Sequence, residues 1–239
     1  MTLVAARPCR VCGAPLTRTF VDLGMSPPCE DFLTPEQADA GESFYPLHVR
    51  LCDQCLLVQL PEYVSAERLF HDDYRYFSSF SSSWLEHARR YTETMTQRLG
   101  LGPDSLVVEV ASNDGYLLQW FAEAGVRVLG IEPVGPIAAA AEAKGVPTVN
   151  AFLDPALADD VVEHHGRADL VVANNVYAHV PDLAGFTTGL ATLLAPHGTL
   201  TIEVQHLLRL IEGGQYDTIY HEHFQYYTLL TVSRALALG

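Results

Sequence analysis

Apolar positions in this chain are irregular at first and strongly periodic later. Over residues 1–65 they are scattered among Pro8, Pro15, Pro27, Pro28, Pro35, Pro46 and Pro61. Only Thr19-Phe20-Val21 and Leu47-His48-Val49-Arg50-Leu51 read as β-like runs. Such a module is loop-rich and too small to bury much core of its own. Trp84, Ala88, Tyr91, Met95 and Leu99 then recur at helical spacing, and Gly100 with Gly102-Pro103 ends that helix.

From Ser105 onward, strand and helix patterns alternate. Apolar runs predict strands at 106–110, 127–131, 146–149, 169–173 and 199–204. Helices are predicted near 116–124, 135–144, 155–164 and 182–194, the last closed by Pro196-His197-Gly198. Successive β-α-β units define an α/β fold, a doubly wound and mostly parallel sheet of Rossmann-like type. We therefore expect three regions: a module at 1–65, a connecting segment and helix at 66–104, and a core at 105–239.

The core opens with Leu106-Val107-Val108-Glu109-Val110, followed by the turn Ala111-Ser112-Asn113-Asp114-Gly115 and a helical stretch. Strand, tight turn and helix are the first unit of a nucleotide-binding domain, and the turn amides suit a ligand that needs close backbone approach. Gly-x-Gly-x-x-Gly is absent, since only one glycine is present. That argues against a pyrophosphate and fits S-adenosylmethionine. Glu132 closes the second strand, where an acidic side chain can accept both ribose hydroxyls. Pro133, Phe152, Asn174 and Asn175 also lie at strand ends, where ligands of such sheets bind. Phe152 is placed to flank an adenine.

All five cysteines lie in the first quarter of the chain. Cys9 with Cys12 and Cys52 with Cys55 form two Cys-x-x-Cys pairs, enough for a closed tetrahedral structural zinc site. Unliganded thiols are the other reading. Cys29 is left over, read as an unliganded thiol near a loop. The segment Phe70 to Ser83 is rich in aromatics and hydroxyls. Its aromatics read either as core or, through Tyr74, Tyr76 and the serines, as pocket lining.

Composition narrows the partners. A net charge of −15 gives no electrostatic help toward phosphate backbones, so no nucleic acid partner is expected. No apolar run reaches the ~20 residues of a membrane span. Met1 to Arg7 lacks the basic start and long apolar core of a signal peptide, so a cytoplasmic protein is expected.

The densest titratable stretch is Tyr216 to Tyr227, with Tyr220, His221, Glu222 and His223 at its centre. Two histidines two apart do not make the zinc pair of a metalloprotease helix. In an extended segment His221 and His223 share one face, and Tyr220 and Glu222 the other. The stretch reads as a proton-transfer site with a near-neutral histidine, or as a plain histidine cluster.

Four blocks in order carry a resemblance: the four paired cysteines, Tyr-x-Tyr-Phe-Ser-Ser from Tyr74, the Glu109 to Gly115 turn, and Tyr220-His221-Glu222-His223-Phe224. With them the chain resembles the sugar-nucleotide C-methyltransferases of antibiotic deoxysugar biosynthesis. The resemblance implies methyl transfer from S-adenosylmethionine to a carbon beside the ketone of a dTDP-linked keto-deoxysugar. It makes His223 the general base, has Tyr74 and Tyr220 shape the site, and leaves Glu222 as a neighbouring candidate. Family members usually continue into a second α/β domain, so a second chain or domain is the expected partner in completing the acceptor site. An O- or N-methyltransferase of a small natural product, or a cofactor-binding protein that does not methylate, are the competing functions.

Overall fold

The computed structural model describes residues 7–239; residues 1–6, which carry most of the expectation of no signal peptide, lie outside the described residues. In chain order the elements begin with β1 (Arg18–Ser26), α1 (Pro35–Ala40), β2 (Tyr45–Leu51), β3 (Val58–Gln59) and α2 (Ala66–Leu69). Then follow α3 (Ser82–Leu99), β4 (Leu106–Val110), α4 (Leu118–Glu123), β5 (Arg127–Ile131), α5 (Gly135–Ala143), β6 (Thr148–Val149) and α6 (Pro155–His165). The chain closes with β7 (Ala168–Asn174), α7 (Leu183–Leu193), β8 (Leu194–Glu203), α8 (Leu207–Gly213), β9 (Gln225–Tyr226) and α9 (Leu229–Leu236). Contacts divide these elements into two units. One comprises the residues up to Leu69 with Tyr177–Thr187 and Val204–Gly239; the other comprises Phe70–Val176 with Thr188–Glu203.

The larger unit is the expected α/β layer. Its five strands run parallel in the order β6-β5-β4-β7-β8. All five residues of β4 are buried, which is why this strand reads as an unbroken apolar run apart from Glu109. The chain winds outward from β4 to β6, then crosses back to β7. The strand order therefore switches direction between β4 and β7, the position at which open α/β sheets bind ligands. Helix α3 covers the predicted apolar face. The Ser81 side chain caps its start, accepting from the Trp84 N–H, and Gly100 ends it at φ +65°. Ala88 and Met95 pack with Val107, Leu117, Phe121 and Leu170 in one buried cluster. Pro196-His197-Gly198 does not form a separate stop after α7, because β8 starts at Leu194 and runs through it. Gly198 is required there: a Cβ would lie 2.6 Å from the Ala168 carbonyl oxygen of the adjacent strand.

The smaller unit is an antiparallel sheet in the order β1-β2-β3-β9, so the two predicted β-like runs pair with each other. Leu47, Val49, Val58 and Leu60 bury their side chains with Leu207 and Tyr226, which come from the far end of the chain. The amino-terminal module thus gains core that its own sequence lacks. Among the described residues no helix is long and apolar enough to cross a membrane.

Candidate active site

In the smaller unit the two Cys-x-x-Cys pairs converge. The Sγ atoms of Cys9, Cys12, Cys52 and Cys55 all lie within 4.8 Å of one another, with Cys9 3.4 Å from Cys55 and Cys12 3.5 Å from Cys52. A tetrahedral zinc with bonds of about 2.3 Å needs sulfurs about 3.8 Å apart, so the cage fits the ion. The Gln59 side-chain amide donates to Cys9 Sγ at 3.2 Å and the Cys55 N–H donates toward Cys52 Sγ at 3.5 Å, donors that suit thiolates. Cys29 stands apart from the cage. It is the unliganded thiol expected, half-buried, and it donates to Glu222 Oε1 at 2.9 Å.

The expected cofactor residues belong to the larger unit. Ala111, Asn113 and Gly115 all take positive φ, at 56°, 49° and 75°, which folds the turn tightly after β4. Ser112 is fully buried and its N–H donates to the Ile131 carbonyl at 3.2 Å, tying the turn to β5. Both Glu109 carboxylate oxygens are buried without a well-formed hydrogen bond. Burial pushes this carboxyl well above the usual range, and the Tyr116 hydroxyl pulls it back only in part. An ammonium such as that of S-adenosylmethionine, placed at this switch point, would favour the ionised form of a carboxyl whose two oxygens are otherwise unmet, so the residues present fit that group.

Glu132 is buried, and its two oxygens accept from the backbone N–H groups of Asn113 at 3.0 Å and Val134 at 2.9 Å. Burial pushes its pKa up to about 7; the two N–H donors oppose the rise and the Asp114 charge adds to it. The Asn150 side chain fastens the chain after it, donating to the carbonyls of Glu132 at 2.9 Å and Pro133 at 2.8 Å. Asn174 is buried on β7, next to β4. Asn175 takes φ +52° and donates its side-chain amide to Glu203 at 3.0 Å. Phe152 is 41% exposed, an open aromatic face after β6. Asp114 is buried and paired with Lys144 at 2.8 Å. Tyr74 is half-buried and packs edge-on against Phe70, with ring centroids 5.3 Å apart.

The histidine stretch belongs to the smaller unit, and it is a turn rather than an extended segment. The His223 N–H donates to the Tyr220 carbonyl at 3.0 Å. The turn therefore joins Tyr220 to His223, not His221 to His223 as alternation suggested. His223 Nδ1 lies 2.8 Å from the Thr218 carbonyl, which can only accept, so Nδ1 carries the proton. That leaves the Nε2 lone pair to accept from the Tyr220 hydroxyl at 3.1 Å. Burial holds the His223 pKa down to about 4, below the near-neutral value expected, although the Thr218 carbonyl opposes the fall. The sequence reading missed His179. It sits in a short 3₁₀ turn after β7, packs edge-on against His223 with ring centroids 4.6 Å apart, and lies 4.0 Å from Glu222 Oε2. Its pKa is well below the usual histidine value, through burial first and the neighbouring His223 second. The signal for it was the polar run Asn174-Asn175 at a strand end, just before it.

The parallel sheet defines the fold, and comparison with known proteins gives the class. A family model described as "Methyltransferase domain" matches residues 84–238, and one described as "Putative zinc binding domain" matches residues 9–70. The chain belongs to the methyltransferase-domain family, whose members use S-adenosylmethionine as cofactor. Over 221 residues it is 37% identical to the C-methyltransferase NovU of Streptomyces niveus, covering 92% of this chain and 52% of that protein. It is 31% identical over 129 residues to a ubiquinone biosynthesis O-methyltransferase of Methylobacterium sp. (strain 4-46), covering 48% and 51%. The chain thus spans about half the length of the curated relatives it matches. Among solved structures, an S-adenosylmethionine-dependent methyltransferase from Archaeoglobus fulgidus superposes with a TM-score of 0.50 at 15% identity, covering 64% of this chain and 68% of that one; the likeness is one of fold.

Proposed function

We propose that this chain is the cofactor-binding part of a C-methyltransferase acting on the carbon beside the ketone of a dTDP-linked keto-deoxysugar. The observation that carries the reading is the Tyr220–His223 pair, a neutral imidazole with one free-basic nitrogen held against a phenol. The 37% identity to NovU supports it. S-adenosylmethionine, when bound, supplies an electrophilic methyl group. Glu132 would accept the ribose hydroxyls, Glu109 the ammonium, and the Ala111 to Gly115 turn would lie under the methionine portion. His223 Nε2 removes the proton from the carbon. Substrate must first displace the Tyr220 hydroxyl from that nitrogen, and the freed hydroxyl then becomes a donor for the developing enolate oxygen. A pKa of about 4 makes His223 a weak base, but one that is fully unprotonated at neutral pH. Stabilisation of the enolate must therefore supply much of the drive. Glu222 holds His179, which backs the His223 ring. A second domain or chain completes the acceptor site. A four-cysteine zinc site, which needs its cysteines reduced, suits a cytoplasmic setting.

The test follows solvent exchange at the carbon in D2O, with a 4-keto sugar nucleotide, and looks for a new carbon–methyl bond in the product. His223→Asn should cut exchange by about 10²–10⁴-fold, the usual loss of a general base, and leave cofactor affinity in place. Methylation at oxygen or nitrogen, or exchange undiminished in this variant, overturns the reading.

A further inference from the structure

Where the common turn of this fold has Gly-x-Gly, this chain presents two polar side chains, Asn113 and Asp114, and their partners lie on one segment. Asn113 Oδ1 accepts from the Ser78 N–H at 2.8 Å, and its Nδ2 donates to the Tyr76 carbonyl at 3.0 Å. Asp114 accepts from the Ser79 N–H at 3.3 Å and from the Ser79 hydroxyl. Lys144 holds Asp114 in turn, donating to its carboxylate at 2.8 Å and its carbonyl at 2.9 Å. Asn113 also donates its backbone N–H to Glu132 at 3.0 Å. Its φ of +49° is one that few residues besides Gly and Asn accept.

Asn113 therefore touches both the carboxylate read as the ribose acceptor and the segment that carries Tyr74. We propose that Asn113 and Asp114 are positioning residues that clamp residues 76–79, just past Tyr74, onto the cofactor turn, coupling cofactor binding to the order of that segment. The proposal rests on the reading of Glu132 as ribose acceptor. Ribose hydroxyls on Glu132 favour its ionised form, and an ionised acceptor strengthens the bond from the Asn113 N–H. A better-fixed Asn113 holds Ser78 and Tyr76 more firmly. By linkage, the ordered segment raises cofactor affinity by the same factor. The glycines of a Gly-x-Gly turn have no side chains with which to do this. If the contacts were only loop packing, they would not respond to cofactor.

The experiment measures hydrogen exchange of the Ser78 and Ser79 amides, with and without saturating S-adenosylhomocysteine, and calorimetry on the same samples. In the wild-type protein the ligand should slow this exchange several-fold. Asn113→Gly keeps the positive φ and the N–H to Glu132 but removes both side-chain bonds. It should exchange roughly tenfold faster in the free protein, as expected for two lost hydrogen bonds, and lose the response to ligand. Asn113→Asp keeps the acceptor for Ser78 and loses the donor to Tyr76, and should fall between. Ser79→Ala weakens the clamp from the segment side, and serves if the glycine variant fails to fold. If the wild-type protein binds ligand with no change at these amides, or Asn113→Gly and Ser79→Ala respond as wild type does, the coupling is wrong and the cofactor reading stands. If the wild-type protein binds no S-adenosylhomocysteine, the cofactor reading falls and the coupling falls with it.

Discussion

Cofactor affinity should climb through neutral pH because of Glu132. Its carboxyl is buried and its pKa is raised to about 7. Such a group is about one-tenth ionised at pH 6 and about nine-tenths at pH 8. On the proposed assignment, ribose hydroxyls bind the ionised form, so the apparent dissociation constant scales inversely with the ionised fraction. Affinity for S-adenosylhomocysteine should rise about tenfold from pH 6 to pH 8. An ordinary exposed glutamate, ionised throughout that range, would give a flat profile. The stability effect has the opposite sign. Between the unfolded value near 4.5 and the folded value near 7 the native state holds the extra proton, so this group's contribution to stability falls as pH rises through that window. Ligand binding near pH 7 should release about half a proton, visible as a dependence of calorimetric enthalpy on the buffer's ionisation heat. Glu132→Gln should weaken binding tenfold or more, since hydrogen bonds to a charged group contribute roughly 1.5–3 kcal/mol each, and should flatten the profile. A wild-type affinity that changes less than about twofold between pH 6 and 8 would refute the ionisation argument. A slope that survives in Glu132→Gln would move it to another group, Glu109 first.

Two further outcomes are expected. Purified protein should carry one zinc per chain, lost with the fold of the smaller unit in Cys12→Ala and retained in Cys29→Ser, because Cys29 is bonded to Glu222 outside the cage; elemental analysis finding an intact, metal-free protein contradicts this. Gly130→Ala should lower the melting temperature by several degrees, since the new Cβ would sit 2.4 Å from the oxygen of the fully buried Ser112, and overpacking of this kind costs about 1–3 kcal/mol. An unchanged melting curve would mean that the turn after β4 yields more easily than its burial implies.

What the sequence discloses here depends on whether a position lies inside a repeating ladder. Strand β4 was legible because burial on both faces forces an apolar run, and Glu109 stood out because nothing in that run accounts for a carboxylate. The paired cysteines were legible because two thiols per turn is itself a geometric statement. The order β6-β5-β4-β7-β8 was not, nor was the pairing of β9 with β3, since both are contacts between distant segments that no local period encodes. The Tyr220 to His223 stretch shows the same limit at the scale of one side chain. Alternation assigns neighbours only where the backbone is extended, and here it turns. The turn exchanges His221 for Tyr220 as the partner of His223 and brings up the Thr218 carbonyl that fixes the tautomer. Burial then sets the basicity, and burial depends on residues from elsewhere in the chain, His179 among them. Residue types could be read as a proton-transfer set, but which nitrogen is basic, and how basic it is, follows from tertiary packing that no spacing contains.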